Sequence, residues 1–147
     1  MKTSKNNDLD FLYVYLISDF HHHQEEPITE QVEKALQGGV RAIQLREKDL
    51  SPKELYAQAL EIKPIIEKYD AKLFINDRAD IAEIAGADGV QLTETSVPAG
   101  EIKDKFPNLI VGVSTHAKEG ALLAEAEGAD FITFSPIYET PSKVHFG

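Results

Sequence analysis

The stretch Gly39-Val40-Arg41-Ala42-Ile43-Gln44-Leu45 has two echoes, Gly86-Ala87-Asp88-Gly89-Val90-Gln91-Leu92 and Gly128-Ala129-Asp130-Phe131-Ile132-Thr133-Phe134. Each starts on a glycine suited to ending a helix, passes through small or polar residues, and runs into a strand. Their spacing of about 42 to 47 residues is that of two βα units. Such a repeat favours a barrel built from similar quarters over an open sheet.

Working outward, six short runs read as strands, over residues 11–18, 42–45, 72–75, 88–92, 109–113 and 130–134. They are apolar on consecutive positions, as expected of parallel strands covered on both faces. Helical spacing separates them. Ile28, Val32, Ala35 and Leu36 form one apolar stripe, and Leu55, Ala59, Ile62, Ile65 and Ile66 form another. Ser51-Pro52 supplies the second helix with an N-cap and a proline at its first position. Pro64 inside it predicts a kink or break. Three shorter stripes follow, around Ile81, Ile102 and Leu122. Alternating βα units require parallel pairing with right-handed crossovers. Residues 1–147 therefore read as a single α/β domain, a TIM-type (β/α) barrel with about six βα units. A complete barrel usually needs ~200 residues or more, so the last two units are expected to be lacking. A six-strand arc leaves unpaired backbone at its edges, and a homo-oligomer covering the open edge is the expected remedy.

Composition narrows the function. The 147 residues carry 15 Lys plus Arg against 25 Asp plus Glu, a formal charge of −10. That balance speaks against nucleic acid and anionic membrane as partners. The absence of cysteine excludes disulfides, thiolate metal sites and a cysteine nucleophile. The apolar run of residues 11–17 is far shorter than the ~20 residues of a membrane span. Asp8 and Asp10 precede it where a signal peptide carries positive charge, and Ser18-Asp19-Phe20-His21 offers no small-residue cleavage site. A cytoplasmic protein is the expectation.

In parallel α/β folds, reactive residues gather where strands end. After the second strand, Gln44, Arg46 and Lys48 are spaced by two and share a side while the chain stays extended. An amide, a guanidinium and an ammonium there suit a phosphate or pyrophosphate. A solvated loop capping the next helix is the alternative, and residue type alone does not separate them. After the third strand, Asn76-Asp77-Arg78-Ala79-Asp80 could present carboxylates to Mg²⁺. Taken alone, a helix N-cap at Asp77 and a first-turn acid at Asp80 are favoured. After the fifth strand come Ser114, Thr115 and His116. The imidazole titrates near neutral pH and could move a proton, although a lone histidine before a helix is commonly just a surface residue. After the sixth, Thr140, Ser142 and Lys143 could bind an anion, in a composition common to loops. The run His21-His22-His23 alternates sides and makes no ready metal site.

In order and spacing, Gln44-Leu45-Arg46-Glu47-Lys48, Asn76-Asp77-Arg78, Gly86 through Leu92, Gly112-Val113-Ser114-Thr115-His116 and Pro136-Ile137-Tyr138 resemble the thiamin-phosphate synthase/TenI family. The resemblance implies a TIM barrel in thiamin biosynthesis with phosphorylated thiazole and pyrimidine ligands. In synthase members Gln44, Arg46 and Lys48 would hold a pyrimidine pyrophosphate with help from Asn76. Asp77 would ligate Mg²⁺, and Ser114 would lie near the pyrophosphate. Thr140, Ser142 and Lys143 match the loop contacting thiazole phosphate and pyrophosphate. In TenI-type members His116 matches the acid/base of a thiazole tautomerase, which needs no metal. A synthase typically reads Gly-Gln-Glu-Asp after its fourth strand, the Asp being its second Mg²⁺ ligand. Here Thr93-Glu94-Thr95-Ser96 puts Ser96 at that place, and Glu94 would have to reach from another position. The TenI-like reading leads on these departures. A Mg²⁺-dependent synthase and a non-catalytic or regulatory binding protein of the same family are the alternatives.

Overall fold

A computed structural model describes residues 9–19 and 26–138. Thr140, Ser142, Lys143 and the triple histidine lie outside the described residues. A 3-10 turn, Asp10–Tyr13, leads into β1 (Tyr15–Ile17). There follow α1 (Ile28–Gln37), β2 (Ala42–Leu45), α2 (Pro52–Lys68), β3 (Lys72–Asn76) and α3 (Ala79–Ala85). Then come β4 (Gly89–Leu92), α4 (Ala99–Lys105), β5 (Ile110–Thr115), α5 (Lys118–Ala126) and β6 (Phe131–Phe134). The strands pair in sequence order β1 to β6, all parallel. This is the α/β order expected from the repeats.

The repeated glycines end helices in left-handed conformation, with φ of 102° at Gly39, 66° at Gly86 and 81° at Gly128, where a Cβ would be strained. Two residues later in the second and third copies, an aspartate ties adjacent strands together. Asp88 accepts from the Leu73 amide and the Lys72 ammonium, each at 2.9 Å. Asp130 accepts from the Val111 amide at 2.8 Å and Lys103 at 2.7 Å. The echo is thus a device for fixing strand register.

Side chains alternate between two packed layers. Ile43, Leu45, Leu73, Ile75, Val90, Leu92, Val111 and Val113 face the helices and build the main core with Val32, Leu36, Ile62, Ile66 and Ile81. The opposite face encloses an aromatic cluster. Tyr15 of β1 lies 5.9 Å from Phe131 of β6, ring to ring, and Phe74 of β3 is 5.4 Å from Tyr15 and 5.6 Å from Phe131. In a flat sheet β1 and β6 would be roughly 24 Å apart at ~4.8 Å per strand. The sheet is therefore curled into a half-barrel, an incomplete TIM-type fold.

Two sequence expectations are corrected. Phe11, Leu12 and Tyr13 are not strand. They form the 3-10 turn closed by the Leu12 amide on the Leu9 carbonyl at 2.9 Å, which sets Phe11 against Phe74 at 6.1 Å. Nor does Pro64 break α2, which runs unbroken through it. Pro64 and Leu60 are both on the solvent side, so the Leu60 carbonyl that loses its helical donor can turn to water. The start of α2 has the expected N-cap at Ser51 followed by Pro52, and Glu54 adds the reciprocal bond of a full capping box.

Candidate functional site

The strands carry a polar layer on the interior face, above the aromatic one. Gln44 donates to Asn76 Oδ1 at 2.9 Å. The Gln91 amide nitrogen reaches Ser114 Oγ at 3.1 Å and Thr133 Oγ1 at 3.3 Å, and Gln91 Oε1 accepts from the Tyr15 hydroxyl at 3.2 Å. Thr133 in turn donates to Ser114 at 3.2 Å. Gln44 and Gln91 are almost wholly buried, at 3% and 1% exposure, and buried amides persist only when paired. Burial pushes the Tyr15 phenol well above its ordinary value. Gln44, Asn76 and Ser114, singled out from sequence, do converge here. Gln91, Thr133 and Tyr15 were missed as interior groups. The signal was available, because Gln44, Gln91 and Thr133 occupy the same position of the three echoes.

Above this layer neighbouring strand-end loops are tied together, those after β1 and β2 as one pair and those after β3 to β6 as a chain. Ser18, after β1, donates to the buried Glu47 carboxylate after β2 at 2.5 Å and accepts the Arg46 amide at 2.8 Å. Ser96, after β4, donates a very short hydrogen bond to Asp77 after β3 and accepts the Thr93 amide at 2.8 Å. Glu94 accepts the His116 amide at 2.9 Å, after β5. The His116 ring reaches the Ser135 carbonyl, after β6, through Nδ1 at 2.5 Å. A carbonyl only accepts, so neutral His116 carries its proton on Nδ1.

The cations differ in their commitments. Arg78 makes a bidentate pair with Asp80 at 2.8 and 2.6 Å. The pairing holds the Asp80 carboxyl below the usual range and raises the Arg78 guanidinium. Among the described residues Arg46 and Lys48 have no carboxylate partner. β2 ends at Leu45, so the spacing-by-two argument does not extend to Lys48, which lies exposed in the following turn. The N-cap of α3 is Arg78, without a side-chain cap bond, and Asp77 before it has φ of 60°. Asp77 is therefore not the cap that its sequence position suggested.

Mg²⁺, implied by synthase resemblance, is tested by this donor set. Among the described residues no cluster of three or more acidic or imidazole ligands exists. Glu94 is turned to the His116 amide through one oxygen, Asp80 is paired through both of its oxygens with Arg78, and Asp77 stands beside the Ser96 hydroxyl. One carboxylate fits a Mg²⁺ that takes the rest of its shell from water and ligand phosphates. It does not fit a cation held by protein alone.

Comparison with known proteins follows this geometry. The family profile described as thiamine monophosphate synthase matches residues 14–146. A Geobacter sulfurreducens protein named "Putative thiamine-phosphate synthase" is 47% identical over 91% of this chain and 63% of its own length. The thiamine-phosphate synthase of Pyrococcus abyssi is 40% identical over 90% of this chain and 62% of its own. The solved thiamine phosphate pyrophosphorylase of Pyrococcus furiosus superposes with a TM-score of 0.78 at 38% identity, covering 86% of this chain and 61% of that one. The chain thus spans a little under two thirds of the length of these relatives.

Proposed function

From the chain's membership of the thiamine monophosphate synthase family, we propose that its strand-end rim binds a pyrimidine pyrophosphate and a thiazole phosphate and joins them as a thiamine-phosphate synthase, releasing pyrophosphate. The observation that carries this reading is the pair Arg46 and Lys48, cations that follow β2 and have no carboxylate partner among the described residues. In a chain of net charge −10, a phosphorylated ligand needs such a local positive site.

Each residue then has a physical task. Arg46 and Lys48 take pyrophosphate oxygens and stabilise the charge that grows on them as the leaving group departs. Gln44 and Asn76, bonded to each other, present a fixed amide edge to the ligand. Ser114, held by Gln91 and Thr133, offers a hydroxyl whose direction is already set. Asp77 would hold Mg²⁺ with the ligand's phosphates, and the ion supplies further neutralisation of the departing pyrophosphate. The Thr140, Ser142 and Lys143 loop would add phosphate contacts.

Pyrophosphate release from both substrates with Mg²⁺, abolished by Asp77→Ala, is the expected result. A specific observation keeps the tautomerase reading as second. His116 has its tautomer set by Ser135, and the expected second Mg²⁺ ligand is the neutral Ser96. A metal-independent change in the thiazole's ultraviolet spectrum, lost in His116→Ala, would favour it. Neither activity, with no heat on titrating thiazole phosphate, would leave a non-catalytic family member. Self-association is expected on the β6 side, a reading supported by the exposure of Leu122, Leu123, Ile132 and Phe134, at 55%, 59%, 40% and 42%.

A further inference from the structure

Glu94 and Gly120 form an arrangement that the reaction scheme above does not use. The N-cap of α5, Ala117, has no side chain able to bond the helix's first amides. Glu94 comes from the loop after β4 and takes the His116 amide just before that cap at 2.9 Å. It can do so because the third residue of α5 is Gly120. A Cβ there would lie 2.7 Å from Glu94 Oε1 and 3.6 Å from its Cδ, closer than a carbon and a carboxylate oxygen can approach. Glycine is a poor choice for that helix on propensity alone, so its presence is explained by what it makes room for. His116, anchored through its amide, sets its ring Nδ1 on the Ser135 carbonyl at 2.5 Å.

We propose that Glu94 is a positioning residue for His116, with Gly120 as the gap that admits it, so that one carboxylate ties the loop after β4 to that after β5 and holds the imidazole on the Ser135 carbonyl, which sets its tautomer. The proposal rests on reading this rim as the ligand site but not on which reaction occurs there.

The test is spectroscopic and independent of turnover. The full chain, labelled with ¹⁵N-histidine, is compared as wild type, Glu94→Gln, Glu94→Ala and Gly120→Ala, with His116→Gln assigning the signal. Long-range ¹H–¹⁵N spectra above the imidazole pKa should show His116 as the Nδ1–H tautomer in wild type. Glu94→Gln, which keeps an acceptor oxygen, should preserve that pattern. Glu94→Ala and Gly120→Ala should both collapse it toward a mixture of tautomers. Gly120→Ala should do so with an unchanged or higher Tm, because the clashing atom is the flexible end of a side chain and alanine favours the helix. A wild-type His116 spectrum in either alanine variant overturns the proposal. Unfolding of Gly120→Ala overturns it too, since the gap would then serve backbone packing. Failure of the wild-type chain to bind inorganic pyrophosphate, with these spectra as expected, would instead count against the functional reading.

Discussion

Gly112→Ala is the sharpest probe of the packing on the interior face of the sheet. On the interior face of β5, a Cβ at this position would stand 2.4 Å from Phe131 Cζ, 2.7 Å from its Cε2 and 2.6 Å from Gln91 Oε1. Neither neighbour can step aside freely. The Phe131 ring is enclosed by Tyr15 and Phe74, and Gln91 is buried and bonded to Tyr15. Overpacking of a filled core costs about 1–3 kcal/mol, and with two obstructed neighbours the upper half of that range is expected. Phe131→Leu alone should cost about 1–2 kcal/mol, less than a full truncation because the ring is only partly buried. Leucine vacates the ring tip that the new methyl strikes. The double variant should therefore be more stable than the sum of the singles by about 1–2 kcal/mol, a coupling expected only of residues in contact. Urea unfolding followed by circular dichroism measures all four, with equal m-values licensing the comparison. Additivity within about 0.5 kcal/mol would refute the claim that the Phe131 ring reaches over Gly112 on the interior face.

Other expectations follow from the same geometry. The Tyr15 phenol is raised in the folded state, so its contribution to stability is complete below the unfolded value of about 10 and declines above it. That decline is about 1.4 kcal/mol per pH unit until the folded phenol ionises, and Tyr15→Phe should remove it while costing about 1–2 kcal/mol at neutral pH through the unpaired Gln91 oxygen. Denaturation of both proteins from pH 7 to 11.5 checks the difference. Replacing Arg46 and Lys48 together by alanine should raise the Kd for inorganic pyrophosphate about 10- to 100-fold at low salt, from two charge-assisted contacts, one of them solvent-exposed. Calorimetric titration checks it, and an unchanged Kd would remove these residues from the site. Sedimentation at micromolar concentration should show a dimer or larger species that Leu122→Lys with Ile132→Lys reduces to monomer, and a stable wild-type monomer would contradict the β6 assignment.

Much of the architecture was written locally. Positive-φ glycines and consecutive apolar positions mark strands two to six to within a residue or two, because helix ends and buried strands are set by near neighbours. The first strand was overextended, since Phe11 is apolar for its contact with the Phe74 ring and not for a strand. Pro64 misled because its cost depends on whether one carbonyl faces water, a tertiary fact. The interior amides were half visible. Gln44 stood out beside two cations, whereas Gln91 and Thr133 gained meaning only when the echoes were superposed on a curled sheet. The ties between loops were not visible at all. Asp77 to Ser96, Glu94 to His116 and His116 to Ser135 join residues about 20 apart in sequence, through loops whose paths the local pattern leaves undetermined.

The central claim is that the strand ends converge on one anion-holding rim. Amide chemical-shift mapping of the ¹⁵N-labelled chain against inorganic pyrophosphate with Mg²⁺ tests it most directly. Perturbations should cluster at residues 44–48, 76–78, 93–96 and 114–116 together. Shifts confined to the α5 and β6 side, or scattered over separate faces with no common saturation, would contradict it.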